Sequence, residues 1–384
     1  MSVTAAKGFR AAGVAAGLKD SGAPDVALVV SDGPDFAAAG VFTSNRVVAA
    51  PVRWTRQVLR WNALRAVVLN SGGANACTGP DGFADTHHTA EHVAQVLGMA
   101  PIDVGVCSTG LIGVRLDLPA LLAGVDLAAG QLASTVAAGD DAARAIMTTD
   151  TVPKQAVATR AGVTVGGMAK GAGMIAPGMA TMLSVLTTDG VVDPQVAQMA
   201  LRRAVEQTFN RVDSDGCMST NDTVLLMASG AGGAVLDDVA LGDLLTEVCD
   251  ELARAMVADA EGASKDILVQ VDGAASESDA VAAARVVARS NLFKCAMHGE
   301  DPNWGRIVAA VGTSTAEFDP DDLAVTINGA QVCARGAATG AAPPDLSGRE
   351  ITVVVDLGAG AFRGHVWTND LTAEYVAVNA EYPT

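Results

Sequence analysis

Aromatic side chains make up only 4% of these 384 residues, and cations are outnumbered, 25 Lys and Arg against 43 Asp and Glu, for a net charge of −18. Such a balance argues against a nucleic-acid partner, because phosphate recognition needs cations that displace counterions. The six cysteines, Cys77, Cys107, Cys217, Cys249, Cys295 and Cys333, include no C-x-x-C pair. That spacing argues against a disulfide or zinc framework and points to a reducing, cytoplasmic compartment. Met1 to Arg10 has no apolar stretch of the kind a secretory signal carries, so none is expected. The longest run poor in charge, Met168 to Thr188, contains Lys170, three glycines and Pro177. A lipid-exposed helix tolerates these badly, and no membrane span is expected.

What is present is a composition rich in Ala, Val, Leu and Gly with charges spread throughout. It suits a soluble globular chain long enough for more than one lobe. Val26–Val30, Ala66–Leu69 and Val104–Cys107 are short β-branched runs bounded by Gly, Ser or Asn, and they predict buried strands. Asp193-Pro194 is an N-cap followed by proline at the first helical position, predicting a helix through about Phe209. Leu241, Leu245, Val248, Leu252 and Met256 share one face of a second long helix. Ile267, Val269 and Val271 alternate as a strand. Asn328-Gly329 after Val325 and Ile327 is a hairpin turn signal, and Ile351–Val355 and His365–Trp367 predict further strands. The nearest thing to a boundary is Ala341–Ser347, with two prolines among small residues. Strands and helices mixed without strict alternation predict an α/β chain of the α+β kind, built from packed layers.

One segment resists a purely structural reading. Gly166 to Ala180 holds five glycines and a proline, and at Thr181 it gives way to Met-Leu-Ser-Val-Leu, a buried-strand pattern. The same pattern fits a buried strand behind a flexible loop, with Thr181 packing its methyl. It also suits a self-processing nucleophile. A threonine hydroxyl is weak until a base takes its proton, and its own α-amine is one such base. That amine titrates at about 7.7–8.0, near working pH, where a general base is most effective. It is free only once the Ala180–Thr181 bond is broken.

The run Lys170-Gly-x-Gly-Met-Ile-x-Pro-x-Met-Ala-Thr-Met-Leu resembles the processing-site signature of the ornithine acetyltransferase family, the glutamate N-acetyltransferases of arginine biosynthesis. Other segments resemble that family in the same order: Asn70-Ser-Gly-Gly-Ala-Asn-Ala-Cys-Thr-Gly79, Cys107-Ser-Thr-Gly-Leu-Ile-Gly113, Thr148-Thr-Asp-Thr-Val-Pro-Lys154, Asn210-Arg-Val-Asp-Ser-Asp-Gly216, Glu261-Gly-Ala-Ser-Lys265, His298-Gly-Glu-Asp-Pro-Asn-Trp-Gly-Arg306 and Asn379-Ala-Glu-Tyr-Pro-Thr384. Gly73 departs from the pattern, which has Asn there, at a place read as remote from the nucleophile.

The resemblance implies a layered α-β-β-α sandwich, of the type shared with self-cleaving aminopeptidases, and a smaller C-terminal lobe. It implies cleavage into an α chain, 1–180, and a β chain, 181–384, interlocked in one catalytic unit and assembled as a heterotetramer. Thr181 would carry an acetyl group from N-acetylornithine to glutamate, with the Thr109 hydroxyl and Gly110 N–H as the oxyanion hole. Lys170, the only charge in a long apolar stretch, would need a partner if buried, either the substrate carboxylate or a neighbouring acid. Glu261 would bind the substrate amino group. Thr148, Asn379 and Thr384 would be further binding residues, with Thr149 and Thr151 as neighbours that could take the place of Thr148. No metal or nucleotide cofactor is implied; acetyl-CoA would enter as a substrate only if the chain also makes the first acetylation of glutamate.

Three other readings compete. A self-cleaving aminopeptidase of related fold would use water in place of glutamate. His88-Thr-Ala-Glu91-His92 matches the zinc-peptidase pattern H-x-x-E-H, although no third ligand is identifiable. A non-enzymatic binding protein would keep a relic site. Asp213-Ser-Asp215-Gly216 is no calcium loop, because Val224 stands where the closing glutamate belongs. Gly171-Ala-Gly173 lacks the third glycine of a dinucleotide fingerprint.

Overall fold

The computed structural model describes residues 2–176 and 182–381. It divides into two compact units, one of Met1–Asn210 and Cys217–Met256, the other of Arg211–Gly216 and Val257–Pro383.

In the first unit the strands are β1 (Phe9–Val14), β2 (Val26–Ser31), β3 (Ala38–Phe42), β4 (Ala66–Asn70), β5 (Val104–Ser108), β6 (Lys154–Arg160), β7 (Val163–Lys170), β8 (Leu183–Thr188) and β9 (Thr223–Ala228). Its helices are α1 (Ala50–Val58), α2 (Gly79–Leu97), α3 (Leu118–Gln131), α4 (Val136–Ala145), α5 (Pro194–Gln207) and α6 (Asp238–Ala258). One sheet runs β1-β2-β4-β5 and the other β3-β9-β8-β7-β6. Only β4–β5 and β8–β9 are parallel pairs in these sheets. Each therefore needs a crossover, supplied by α2 and α5.

The two sheets share one core. Met168, Leu183, Val185, Leu225 and Met227 of the five-stranded sheet pack with Leu28, Val67, Leu69 and Val106 of the four-stranded one. Val93, Val125 and Ala142 close the outer face from α2, α3 and α4. On the far side, α6 brings Val248 and Leu252 over Gly167, and α5 packs on β3. The expected α-β-β-α layering is what the chain forms. The predicted strands at 26, 66 and 104 are β2, β4 and β5. Asp193 caps α5 by accepting from the Gln195 and Val196 amides, which satisfies orphan donors of the first turn.

Two expectations need correction. The glycine-rich stretch is not a loop from its start, because Gly166 and Gly167 lie inside β7. Close packing explains them: a β-carbon on Gly166 would lie 2.3 Å from the Ser2 carbonyl oxygen, and one on Gly167 2.7 Å from Leu186 Cδ2. Ala341–Ser347 is no boundary either; it lies wholly within the second unit. Prolines among small residues marked a loop there, not a change of core.

The second unit has β10 (Asp266–Ala274), β11 (Ala324–Ile327), β12 (Ala330–Ala334), β13 (Ala337–Ala338), β14 (Glu350–Asp356) and β15 (Phe362–Asn369) in one sheet of order β13-β12-β11-β14-β10-β15. Its helices are α7 (Glu277–Ala288), α8 (Asn291–His298), α9 (Trp304–Val311) and α10 (Ala373–Glu381). Asn328 and Gly329 turn β11 into β12 with φ of 44° and 81°, the left-handed pair a tight hairpin requires. The Asp213-Ser-Asp-Gly216 motif is an anchor: Asp213 pairs with Arg289, its amide bonds the Trp367 carbonyl, and the Ser214 hydroxyl bonds Asn369. Among the described residues no helix is long and apolar enough to cross a membrane.

Gly166→Val tests the packing of β7. A side chain forced against the Ser2 backbone should lower unfolding free energy by about 1–3 kcal/mol, measured by urea denaturation; an unchanged midpoint would contradict the packing described.

Candidate active site

β5 and β7 bring the first two candidates together. Thr109 follows the last residue of β5, and Lys170 is the last residue of β7. The Lys170 ammonium donates to the Thr109 hydroxyl at 3.1 Å, with both side chains buried. The Thr109 amide donates to the Asn70 carbonyl at the end of β4, and Asn221 grips the Ser108 carbonyl.

Gly110 has a φ of +130°, and a β-carbon there would lie 2.9 Å from Gly73 Cα and N. No side chain fits, so the backbone of 109–110 lies flush against 72–73. Gly73 bridges Thr109. The departure from the family pattern thus sits directly behind the proposed oxyanion residues.

Asp150 organises the other side. Its Oδ1 accepts from the Lys154 ammonium at 2.6 Å and the Gly171 amide at 2.7 Å, and its Oδ2 from the Thr148 amide at 3.0 Å. Burial opposes its ionisation, yet the Lys170 and Lys154 charges and these hydrogen bonds lower its carboxyl to about 2. Thr148, half-buried, is thereby tied to the residue that follows Lys170. Sequence reasoning passed over Asp150 inside a quoted motif; its spacing of four from Lys154 was the available signal.

A second buried acid was also missed. Asp222 is fully buried just before β9, and its Oδ1 accepts from the Met182 amide at 3.0 Å. Burial pushes its carboxyl well above the usual carboxylate range, although the Met182 amide, Thr43 and the Lys170 charge pull the other way.

Glu261 and Asn379 meet in the second unit, where the Asn379 amide donates to Glu261 Oε2 at 2.9 Å. The Glu261 loop is fixed from behind by Asp370, which accepts from the Ser264 and Lys265 amides and the Ser264 hydroxyl and pairs with His298. α10, which carries Asn379, buries none of its residues. Over the described residues, Asn379 therefore sits on an exposed helix tied to Glu261. Ala180, Thr181 and Thr384 lie outside the described residues.

The H-x-x-E-H segment lies on α2, with His88 and Glu91 exposed. His92 is 2.8 Å from Asp126, and Glu91 pairs with His87, the histidine just outside the motif. Among the described residues no group of three or more His, Cys, Asp or Glu is arranged to hold a metal ion.

Residues 10–384 match the model of the ArgJ family. The chain belongs to that family. The arginine biosynthesis bifunctional protein ArgJ of Streptomyces coelicolor is 58% identical over 383 residues, covering all of both chains. The Mycobacterium leprae protein of the same name is 56% identical over 99% of this chain and 95% of its own. A solved ornithine acetyltransferase of Mycobacterium tuberculosis, complexed with ornithine, is 57% identical over 47% of this chain and 96% of its own, with a TM-score of 0.43. The expected family is therefore borne out.

Asp150→Asn tests the charge network. A carboxyl lowered from 3.8 to about 2 contributes roughly 2 kcal/mol of stability. Because folding depresses this group, the contribution is full above the unfolded pKa and is lost as pH falls through the folded one. The stability gap between wild type and Asp150→Asn should be constant near neutrality and close between about pH 4 and pH 2. A gap independent of pH would contradict the assignment.

Proposed function

We propose that this ArgJ protein cuts itself at Ala180–Thr181 and then uses Thr181 to move an acetyl group from N-acetylornithine to glutamate. One observation carries the reading. Leu183, two residues after Thr181, is in register with Lys170 across β7 and β8, and the Lys170 ammonium touches the Thr109 hydroxyl. The chain thus leaves the sheet at the Lys170–Thr109 contact and re-enters it beside the same contact. The residue types around that point suit acyl transfer: a hydroxyl nucleophile, a buried cation and a glycine backbone.

In the reaction, the Thr181 hydroxyl attacks the acetyl carbonyl of N-acetylornithine and its own α-amine takes the proton. The oxyanion is held by the Thr109 hydroxyl and Gly110 N–H, fixed donors of the kind that supply much of the rate. Lys170 orients Thr109 and adds positive charge. Collapse releases ornithine and leaves an acetyl-threonine ester, which the glutamate amine then takes. Thr148, Lys170, Glu261, Asn379 and Thr384 bind the amino-acid portion of the substrates. No metal or nucleotide cofactor enters.

The two products of cleavage, 1–180 and 181–384, would stay interlocked. β6 and β7 come from the first, β8 and β9 from the second, and all four lie in one sheet with β3. The site belongs to cytoplasmic arginine biosynthesis in this reading, in an assembly of both chains. The name "bifunctional" of the 55–58% identical relatives favours acetyl-CoA as a second donor, for the first acetylation of glutamate.

Denaturing electrophoresis of the purified protein should show fragments of 180 and 204 residues, the second beginning at Thr181. Thr181→Ala should give one uncut band. A different amino terminus would contradict the assignment. Double-reciprocal plots with N-acetylornithine and glutamate should be parallel; intersecting lines would argue against an acetyl-enzyme.

A further inference from the structure

Asp222 is a buried acid for which the transfer reaction has no use. It stands at the residue before β9, where β9 runs parallel to β8, and Leu183 is in register with Thr223. One register step back, its Oδ1 holds the amide of Met182, the residue bonded to Thr181. Its other oxygen, Oδ2, is buried and has no hydrogen-bond partner among the described residues. A buried carboxyl oxygen left unpaired is costly, and such groups are kept where they do chemistry.

We propose that Asp222 is the acid–base group of the self-cleavage step, gripping the chain at Met182 with one oxygen and exchanging a proton at the Ala180–Thr181 bond with the other. This rests on the cleavage reading above and deepens it. In that step the bond from Thr181 Oγ to the Ala180 carbonyl carbon forms and the carbon–nitrogen bond breaks. The hydroxyl gives up a proton and the departing nitrogen gains one. A neutral carboxylic acid can serve both ends through Oδ2, giving its proton to the departing nitrogen and taking up the one the hydroxyl loses, while Oδ1 keeps the Met182 amide. Water then hydrolyses the resulting ester, leaving an Ala180 carboxylate and the free α-amine of Thr181. The neutral state is the one burial favours at this position, and a carboxylate there would face a dry, low-dielectric interior.

Asp222→Asn keeps the shape and the acceptor for Met182 but not the exchangeable acid. Full-length wild type and variant, synthesised in a cell-free system, are followed by denaturing electrophoresis, and the folded chains by thermal unfolding. The expected result is cleavage slowed about 100-fold or more, with a melting temperature close to that of an uncut Thr181→Ala chain. Asp222→Glu, which restores the acid one methylene farther out, should recover part of the rate. Cleavage of Asp222→Asn at the wild-type rate would overturn the assignment while leaving the cleavage reading intact. Both variants insoluble would overturn it too, because Asp222 would then serve the fold. A wild-type chain that stays whole would sink the cleavage reading itself, and this inference with it.

Discussion

A single ammonium group sets the terms for the first unit of this molecule. Lys170 is 1% exposed, in an interior where an unpaired charge is too costly to keep. Its Thr109 hydrogen bond ties the end of β7 to the end of β5, so the two sheets of the sandwich are joined by a polar contact at one edge of a shared apolar core. The charge is balanced by Asp150, whose carboxyl is held ionised by Lys154 and Lys170 together. Asp222, on the other flank, is left neutral by burial. Two buried carboxyls feel the same lysine and are driven in opposite directions. Asp150 has a direct Lys154 partner; Asp222 has none among the described residues, and its burial outweighs the Met182 amide, Thr43 and the Lys170 charge.

Glycine makes the geometry around that contact attainable. Gly110 lies so close to Gly73 that neither a side chain nor a bulkier backbone turn would fit. Within β7, Gly166 and Gly167 let the Ser2 backbone and the α6 side chains approach the strand from its two faces. The segment that ends at Lys170 is thereby clamped from both sides before the chain enters the glycine-rich stretch.

Much of this was legible in the sequence. The β-branched runs and the Asp193 cap gave strands and helix with small errors at their ends, because local patterning decides those elements. The family's motifs named Thr109 and Lys170 separately; the hydrogen bond between them, sixty-one residues apart, was not expected, because the sequence pointed Lys170 to a carboxylate. The role of Asp222 was not legible, since a lone aspartate says nothing about what faces it after folding, whereas Asp150 at least stands four residues before Lys154. The approach of Gly73 to Gly110 was hidden for the same reason, since their separation along the chain says nothing of a backbone contact. The membership of the second unit was not legible, because it depends on Arg211–Gly216 joining its core through Asp213 and Ser214, a long-range event with no compositional mark.

The central claim is that Thr181 becomes an acetyl carrier. The most direct measurement is the intact mass of the separated chains after incubation with N-acetylornithine and no acceptor. The account predicts one added acetyl group on the fragment that begins at Thr181, removed when glutamate is supplied. An unmodified fragment in a preparation that still transfers acetyl groups would contradict it.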